Sequence, residues 1–128
     1  MRHLPAGEVS ATLRRGKPVE QFLGRSPTHP AYIRYVEMRP VSSTIEVWLS
    51  DVEDIGTSEH LDLYGFPQLD PNLAEEPDAT FQDPRAAIAY AASSLQTDNA
   101  RWVNQFVAQD EYLDYIQQGR PQVWQPGG

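Results

Sequence analysis

The chain has 128 residues, of which 40% are hydrophobic and 22% are charged, and this is typical of one folded domain. It contains no cysteine, which excludes disulfides, thiolate metal sites and cysteine nucleophiles. No stretch approaches the ~20 apolar residues that cross a bilayer, and the N-terminal residues lack the apolar core of a secretory signal. We therefore expect a soluble, cytoplasmic protein.

Charge is distributed unevenly along the chain. The net charge is −8, yet residues 1–30 carry five basic and two acidic side chains, while residues 31–128 carry five basic and sixteen acidic ones. Residues 51–78 alone contain nine carboxylates and no Lys or Arg. An acidic surface repels phosphate backbones and anionic lipid headgroups, so we expect no nucleic-acid and no membrane partner. It attracts a basic protein partner and accelerates their encounter.

The first half of the chain predicts a helix followed by three strands. Residues 8–15 have helical apolar spacing and end at Gly16, a natural helix stop. Residues 19–23 and 31–39 are rich in β-branched and aromatic side chains, and residues 44–50 alternate strictly between apolar and polar. A short turn precedes the last of these strands, which predicts a hairpin. Apolar groups on both faces of 31–39 favour a central position in the sheet.

The second half predicts one more strand and then helices. Alternation over residues 60–64 predicts a fourth short strand, and the proline-rich residues 65–78 predict a long loop. Asp83 followed by Pro84 is a favourable helix start, and we expect a helix over residues 84–95.

The C-terminal part allows two interpretations. Mixed spacing predicts a helix over residues 100–118, and the alternative is a strand at 102–107 followed by a helix capped by Asp110. We expect four apolar side chains of this segment to lie in the core: Trp102, Phe106, Leu113 and Ile116. Residues 121–128 predict a disordered C-terminal tail.

The order of elements predicts an α+β fold with a single domain over residues 1–120. Its sheet is a four-stranded, mainly antiparallel meander. A short N-terminal helix and two C-terminal helices pack on one face of that sheet.

Motifs for catalysis and cofactor binding are absent from the sequence. It has no G-x-S-x-G elbow and no glycine-rich phosphate loop, and no two of its three histidines stand at metal-ligand spacing. Residues 51–62 partly match a calcium loop, but Ile55 occupies a ligand position and the flanking segments predict strands. We predict no catalytic residue, no cofactor and no metal ligand, which favours a protein without enzymatic activity.

The sequence favours a protein-interaction module of the immunity or inhibitor kind that binds a basic partner. Carboxylates together with aromatic side chains suit such an interface, because Trp and Tyr bury a large area with few rotatable bonds. The predicted interaction face consists of these acidic and aromatic residues: Trp48, Asp51, Glu53, Asp54, Glu59, Asp62, Asp110, Glu111, Tyr112 and Asp114.

Two other functions remain open. One is a small-ligand or metal-binding domain with a pocket between sheet and helices, lined by Tyr32, Tyr35, Trp48 and Trp102. The other is a structural homo-oligomer that pairs through a strand edge or through Trp48.

Overall fold

A computed structural model describes residues 2–71 and 75–125, and within them the chain forms three helices and a five-stranded antiparallel sheet. The α+β class is confirmed. In chain order the elements are α1 (Ala6–Arg14), β1 (Val19–Arg25), β2 (Tyr32–Val41), β3 (Thr44–Glu53), β4 (Ala79–Phe81), α2 (Pro84–Ser94), β5 (Val103–Asn104) and α3 (Ala108–Gln117). None of these helices is long and apolar enough to cross a membrane.

The strand order is β4-β3-β2-β1-β5, and all neighbours are antiparallel. The first four strands form an antiparallel meander, of which the sequence predicted β1, β2 and β3. The predicted hairpin is also confirmed, because β2 and β3 pair over ten positions and close at Val41 and Thr44. Ser42 in this two-residue turn has a φ of 54°, the left-handed conformation that tight hairpin turns require.

The prediction of a fourth strand at residues 60–64 is wrong, because a short 3-10 turn forms at Leu63–Gly65 instead. The Asp62 carboxylate accepts a hydrogen bond from the Tyr64 amide, and this local bond competes with strand pairing. The fourth strand lies further on, at β4. Part of the predicted loop runs back along β3, with an isolated bridge between Val52 and Gln68. Residues 72–74 of that loop lie outside the described residues.

The C-terminal segment follows the alternative interpretation rather than the continuous helix. β5 adds a fifth strand beside β1, and α3 then begins at Ala108. Phe106 separates the two elements, with a φ of 74° that is incompatible with a helix. Asp110 lies inside α3 and does not cap it.

Helices cover both faces of the sheet, not the single face that the sequence predicted. Successive side chains of a strand point to opposite faces, and β2 buries Tyr35 on one side and Val36 on the other. Val36 belongs to a core cluster with α1 and α2, whereas Tyr35 belongs to a second cluster with α3. We call these the α1/α2 face and the α3 face. The reason is the doubly apolar β2, which has to be covered on both sides.

Trp102 is buried as predicted, but the other three C-terminal core assignments differ. Phe106 is 59% exposed, and Leu113 and Ile116 are only half-buried. The face of α3 that is buried instead carries Ala108, Glu111, Tyr112 and Tyr115. Two tyrosines and a glutamate are polar enough to indicate a solvent-exposed face, so their burial depends on partners that lie far away in the sequence.

The C-terminal tail contacts the domain through Trp124. The Trp124 ring packs edge-on against Phe22 with centroids 5.0 Å apart. Residues 121–125 of the predicted tail are described, and residues 126–128 lie outside the described residues.

Candidate functional site

Six carboxylates lie at the end of β3 and along the connection from β3 to β4. All are exposed or half-buried, and none forms an ion pair with another residue in 2–71 or 75–125. We call this group the acidic edge, and its members are Glu53, Glu59, Asp62, Glu75, Glu76 and Asp78. Two of them also accept hydrogen bonds from backbone amides, Asp62 from Tyr64 and Asp78 from Leu49 on β3.

Two predicted interaction residues at the same end of the sheet are neutralised. Arg34 on β2 holds both oxygens of Asp51 on β3, at 2.8 and 2.9 Å. These hydrogen bonds raise the pKa of Arg34. Asp54 forms an ion pair with Arg120, from the segment after α3. Both carboxylates therefore hold parts of the fold together.

Tyr112 of α3 is fully buried at the centre of this second contact. Its hydroxyl accepts a hydrogen bond from the Gly56 amide at 2.9 Å and donates one to Asp54 at 2.7 Å. Burial, together with the Asp54 hydrogen bond, raises the pKa of Tyr112 to about 12. The side chain thus ties α3 to the loop after β3 and has no surface to offer a partner.

The three predicted acids on α3 differ from one another. Glu111 is buried and accepts from Arg2 at 2.7 Å and from His3 at 2.6 Å. Asp114 pairs with the same Arg2. Asp110 alone is exposed and lacks an ion-pair partner in the described part of the chain.

Trp48 is half-buried on the α3 face, beside a row of polar side chains. Its indole N–H donates to Glu46 at 3.1 Å, and the Arg39 guanidinium lies 4.4 Å from the ring centroid. Arg39 in turn donates twice to the buried Glu37. A role for Trp48 in binding stays a prediction.

Among the described residues, the carboxyl group with the most perturbed pKa is one that sequence analysis missed. Glu20 of β1 is buried, directly across the strand pair from Glu37. Its two oxygens accept from the Tyr64 hydroxyl and, at 3.1 Å, from the Ala108 amide. Burial is the main cause that raises its pKa to about 7, and the negative charge of Glu37 adds to it.

The contact with Ala108 explains why a carboxyl group is found at this position. Ala108 is the first residue of α3, and the first amides of a helix have no partner within the helix. Glu20 satisfies one of them from a strand 88 residues away, so α3 needs no cap from its own segment. In the sequence Glu20 is an ordinary polar residue of a short strand, and no local pattern indicates that α3 will cover it.

Two sequence alternatives can be compared with this geometry. Tyr35 and Trp102 belong to core clusters on opposite faces of the sheet, so the predicted four-residue pocket is not assembled. Within the described residues no three His, Asp or Glu side chains are grouped so that they could hold a metal ion.

No protein-family model, curated protein or solved structure matches this chain.

Proposed function

We propose that this protein is a non-enzymatic interaction module, of the immunity or inhibitor kind, which binds a basic protein partner through the acidic edge. The observation that supports this is the separation of paired from unpaired carboxylates. Asp51, Asp54, Glu111 and Asp114 are each held by an arginine, whereas the six members of the acidic edge are not.

The unpaired carboxylates matter for binding because no arginine of the described residues forms an ion pair with them. These carboxylates lie at the end of β3 and along the connection from it to β4, and the arginines bound to this part of the chain, Arg34 and Arg120, already pair with Asp51 and Asp54. Uncompensated charges of one sign produce a local potential that attracts the opposite charge, and this raises association rates most at low salt. A partner with a lysine- or arginine-rich surface matches this edge.

The test uses a ten-residue oligolysine peptide as the basic probe and measures its affinity by calorimetry at several salt concentrations. We expect affinity to fall with salt. The double variant Glu59→Gln/Glu76→Gln should weaken binding about fivefold or more at low salt, since it removes two exposed charges from the acidic edge.

The matched control is Glu8→Gln/Asp110→Asn. It removes two exposed carboxylates that also lack ion-pair partners but lie on α1 and α3. We expect less than a twofold change. Equal weakening by both double variants would mean that net charge alone attracts the peptide, and this would overturn the proposal, as would no binding at low salt.

A further inference from the structure

We propose that a cleft beside β1 binds a small organic anion, with a carboxylate or phosphate group on an apolar, ring-sized body. Two neighbouring cavities of about 200 and 240 Å³ share Leu23 and Gln96 in their walls. We call the pair the β1 cleft. Arg34 of its lining also interacts with Asp78 of the acidic edge, but the proposal does not depend on the function proposed for that edge.

The cleft lies where β1 lacks a strand partner on its outer side. β5 pairs only with Val19 and Glu20, although β1 continues to Arg25. Beyond Glu20, the described residues place no further strand against this side of β1. Both cavities are lined by residues of the unpaired part, from Gln21 to Arg25.

Hydrogen bonds and close packing fix the walls of the cleft. The buried Gln21 side chain forms two hydrogen bonds with the Asp98 backbone, at 2.9 and 2.8 Å, and so holds the loop before β5. On the other side Trp124 packs against Gly24, where an added Cβ would lie 2.9 Å from the Trp124 Cβ. Arg25 fixes the tail by donating to the Arg120 carbonyl at 2.8 Å. A site with walls held in this way is largely formed before a ligand enters.

The lining offers hydrogen-bond donors that lack acceptors. The Nε–H of Arg25 and the indole N–H of Trp124 are buried, and neither finds an acceptor in residues 2–71 or 75–125. Arg101, half-buried in the same lining, has no acidic partner there either. Buried donors without acceptors are rare in folded proteins, so this wall holds hydrogen-bonding groups that the described residues leave unused.

The charged side chains of the lining favour an anionic ligand. The lining carries Arg25, Arg34 and Arg101 against the single acid Asp98, and only Arg34 is neutralised, by Asp51. This excess of positive charge occurs in a chain whose net charge is −8. The cleft therefore repels cations and attracts an anion.

The remaining lining selects the body of the ligand. Beside two glutamines, Gln21 and Gln96, it is apolar and partly aromatic, with contributions from Phe22, Leu23, Pro27, Leu95 and Trp124. Each cavity is smaller than the roughly 300 Å³ at which pockets for drug-sized molecules begin. A single ring with one anionic group matches both the apolar walls and the unpaired charge of Arg101.

The experiment titrates phenyl phosphate into the ¹⁵N-labelled protein and follows the three indole N–H signals by NMR, with Trp124→Phe used to assign one of them. We expect a saturable shift of the Trp124 signal and little change at Trp48. Arg101→Gln should weaken binding about tenfold or more. Arg85→Gln removes the same charge from an exposed position on α2, outside the cleft, and should change the affinity less than twofold.

Two further ligands and one further variant sharpen the outcome. Phenol tests the need for the anion and inorganic phosphate tests the need for the ring, and both should bind at least tenfold more weakly than phenyl phosphate. Gly24→Ala displaces Trp124 from one wall and should also weaken binding. Equal affinity for phenol, equal affinity for inorganic phosphate, equal effects of Arg101→Gln and Arg85→Gln, or a shift confined to Trp48 would each overturn the proposal.

Discussion

The raised pKa of Glu20 predicts a specific dependence of stability on pH. A pKa of about 7 in the folded protein, against an ordinary value of 4.5, corresponds to about 3 kcal/mol, since each pKa unit is worth about 1.4 kcal/mol. Between pH 4.5 and pH 7 the Glu20 carboxyl group is mostly protonated in the folded state and mostly ionised in the unfolded state. This contribution to the free energy of unfolding is therefore lost as pH rises from about 4.5 to about 7, and is constant above.

The perturbation is Glu20→Gln, which keeps an acceptor for the Ala108 amide and removes the titration. The assay is urea unfolding at pH 5 and pH 8, with the free energy of unfolding taken by linear extrapolation. The fall in stability from pH 5 to pH 8 should be about 2 kcal/mol smaller in the variant than in the natural protein, because most of the Glu20 contribution changes within this window.

Other groups titrate in the same window, and a matched variant removes their effect from the comparison. Glu59→Gln deletes an exposed carboxylate of the acidic edge and should keep the wild-type difference between the two pH values. Carbon-13 NMR of the Glu20 carboxyl group gives a direct reading, with an expected midpoint near 7. A midpoint near 4.5, or a Glu20→Gln protein whose stability has unchanged pH dependence, would show that burial does not raise the pKa of Glu20.

Three further substitutions test the packing and the helix start. Gly56→Ala would place a Cβ 2.7 Å from the Tyr112 hydroxyl, and we expect it to lower the free energy of unfolding by about 2 kcal/mol or more; a neutral effect in urea unfolding would contradict the close contact. Asp83→Ala removes the side-chain cap of α2 and should cost about 1 kcal/mol, with Asp83→Asn as the variant that retains an acceptor. Arg120→Ala leaves Asp54 without its arginine and should cost about 1–2 kcal/mol, and it should speed proteolysis of the tail; unchanged cleavage would show that this contact does not hold the tail.

The sequence predicted the elements whose signals are local. The alternation over residues 44–50 identified β3, and Asp83 with Pro84 located the start of α2 within one residue. Apolar groups on both faces of β2 correctly indicated a central strand. The same observation implied helices on both faces of the sheet, a step that the element order alone did not suggest.

What the sequence did not predict depends on contacts between distant residues. β5 has two residues, and it is a strand only because β1 lies beside it. α3 buries Glu111 and Tyr112 because Arg2, His3 and the loop after β3 supply their hydrogen-bond partners. No window along the chain contains these pairs, so periodicity assigned the wrong face to the core.

The candidate interaction face shows the same limit. All of its members were found by composition, but composition does not distinguish a carboxylate that holds the fold from one that faces solvent. Arg34, Arg120 and Arg2 make this distinction, because each binds acids from another part of the chain. The positions of the arginines in the fold therefore decide which carboxylates of the predicted face are paired and which are not.

The placement of the arginines also relates the two proposed surfaces to each other. Arg34 neutralises Asp51 and Arg120 neutralises Asp54, and both pairs hold parts of the fold together. Among the described residues, no arginine forms an ion pair with a carboxylate of the acidic edge. Arg25 and Arg101 have no acidic partner in the described residues, and they leave positive charge beside β1. The two proposals therefore place a basic protein and a small anion at different sets of residues, the acidic edge and the β1 cleft.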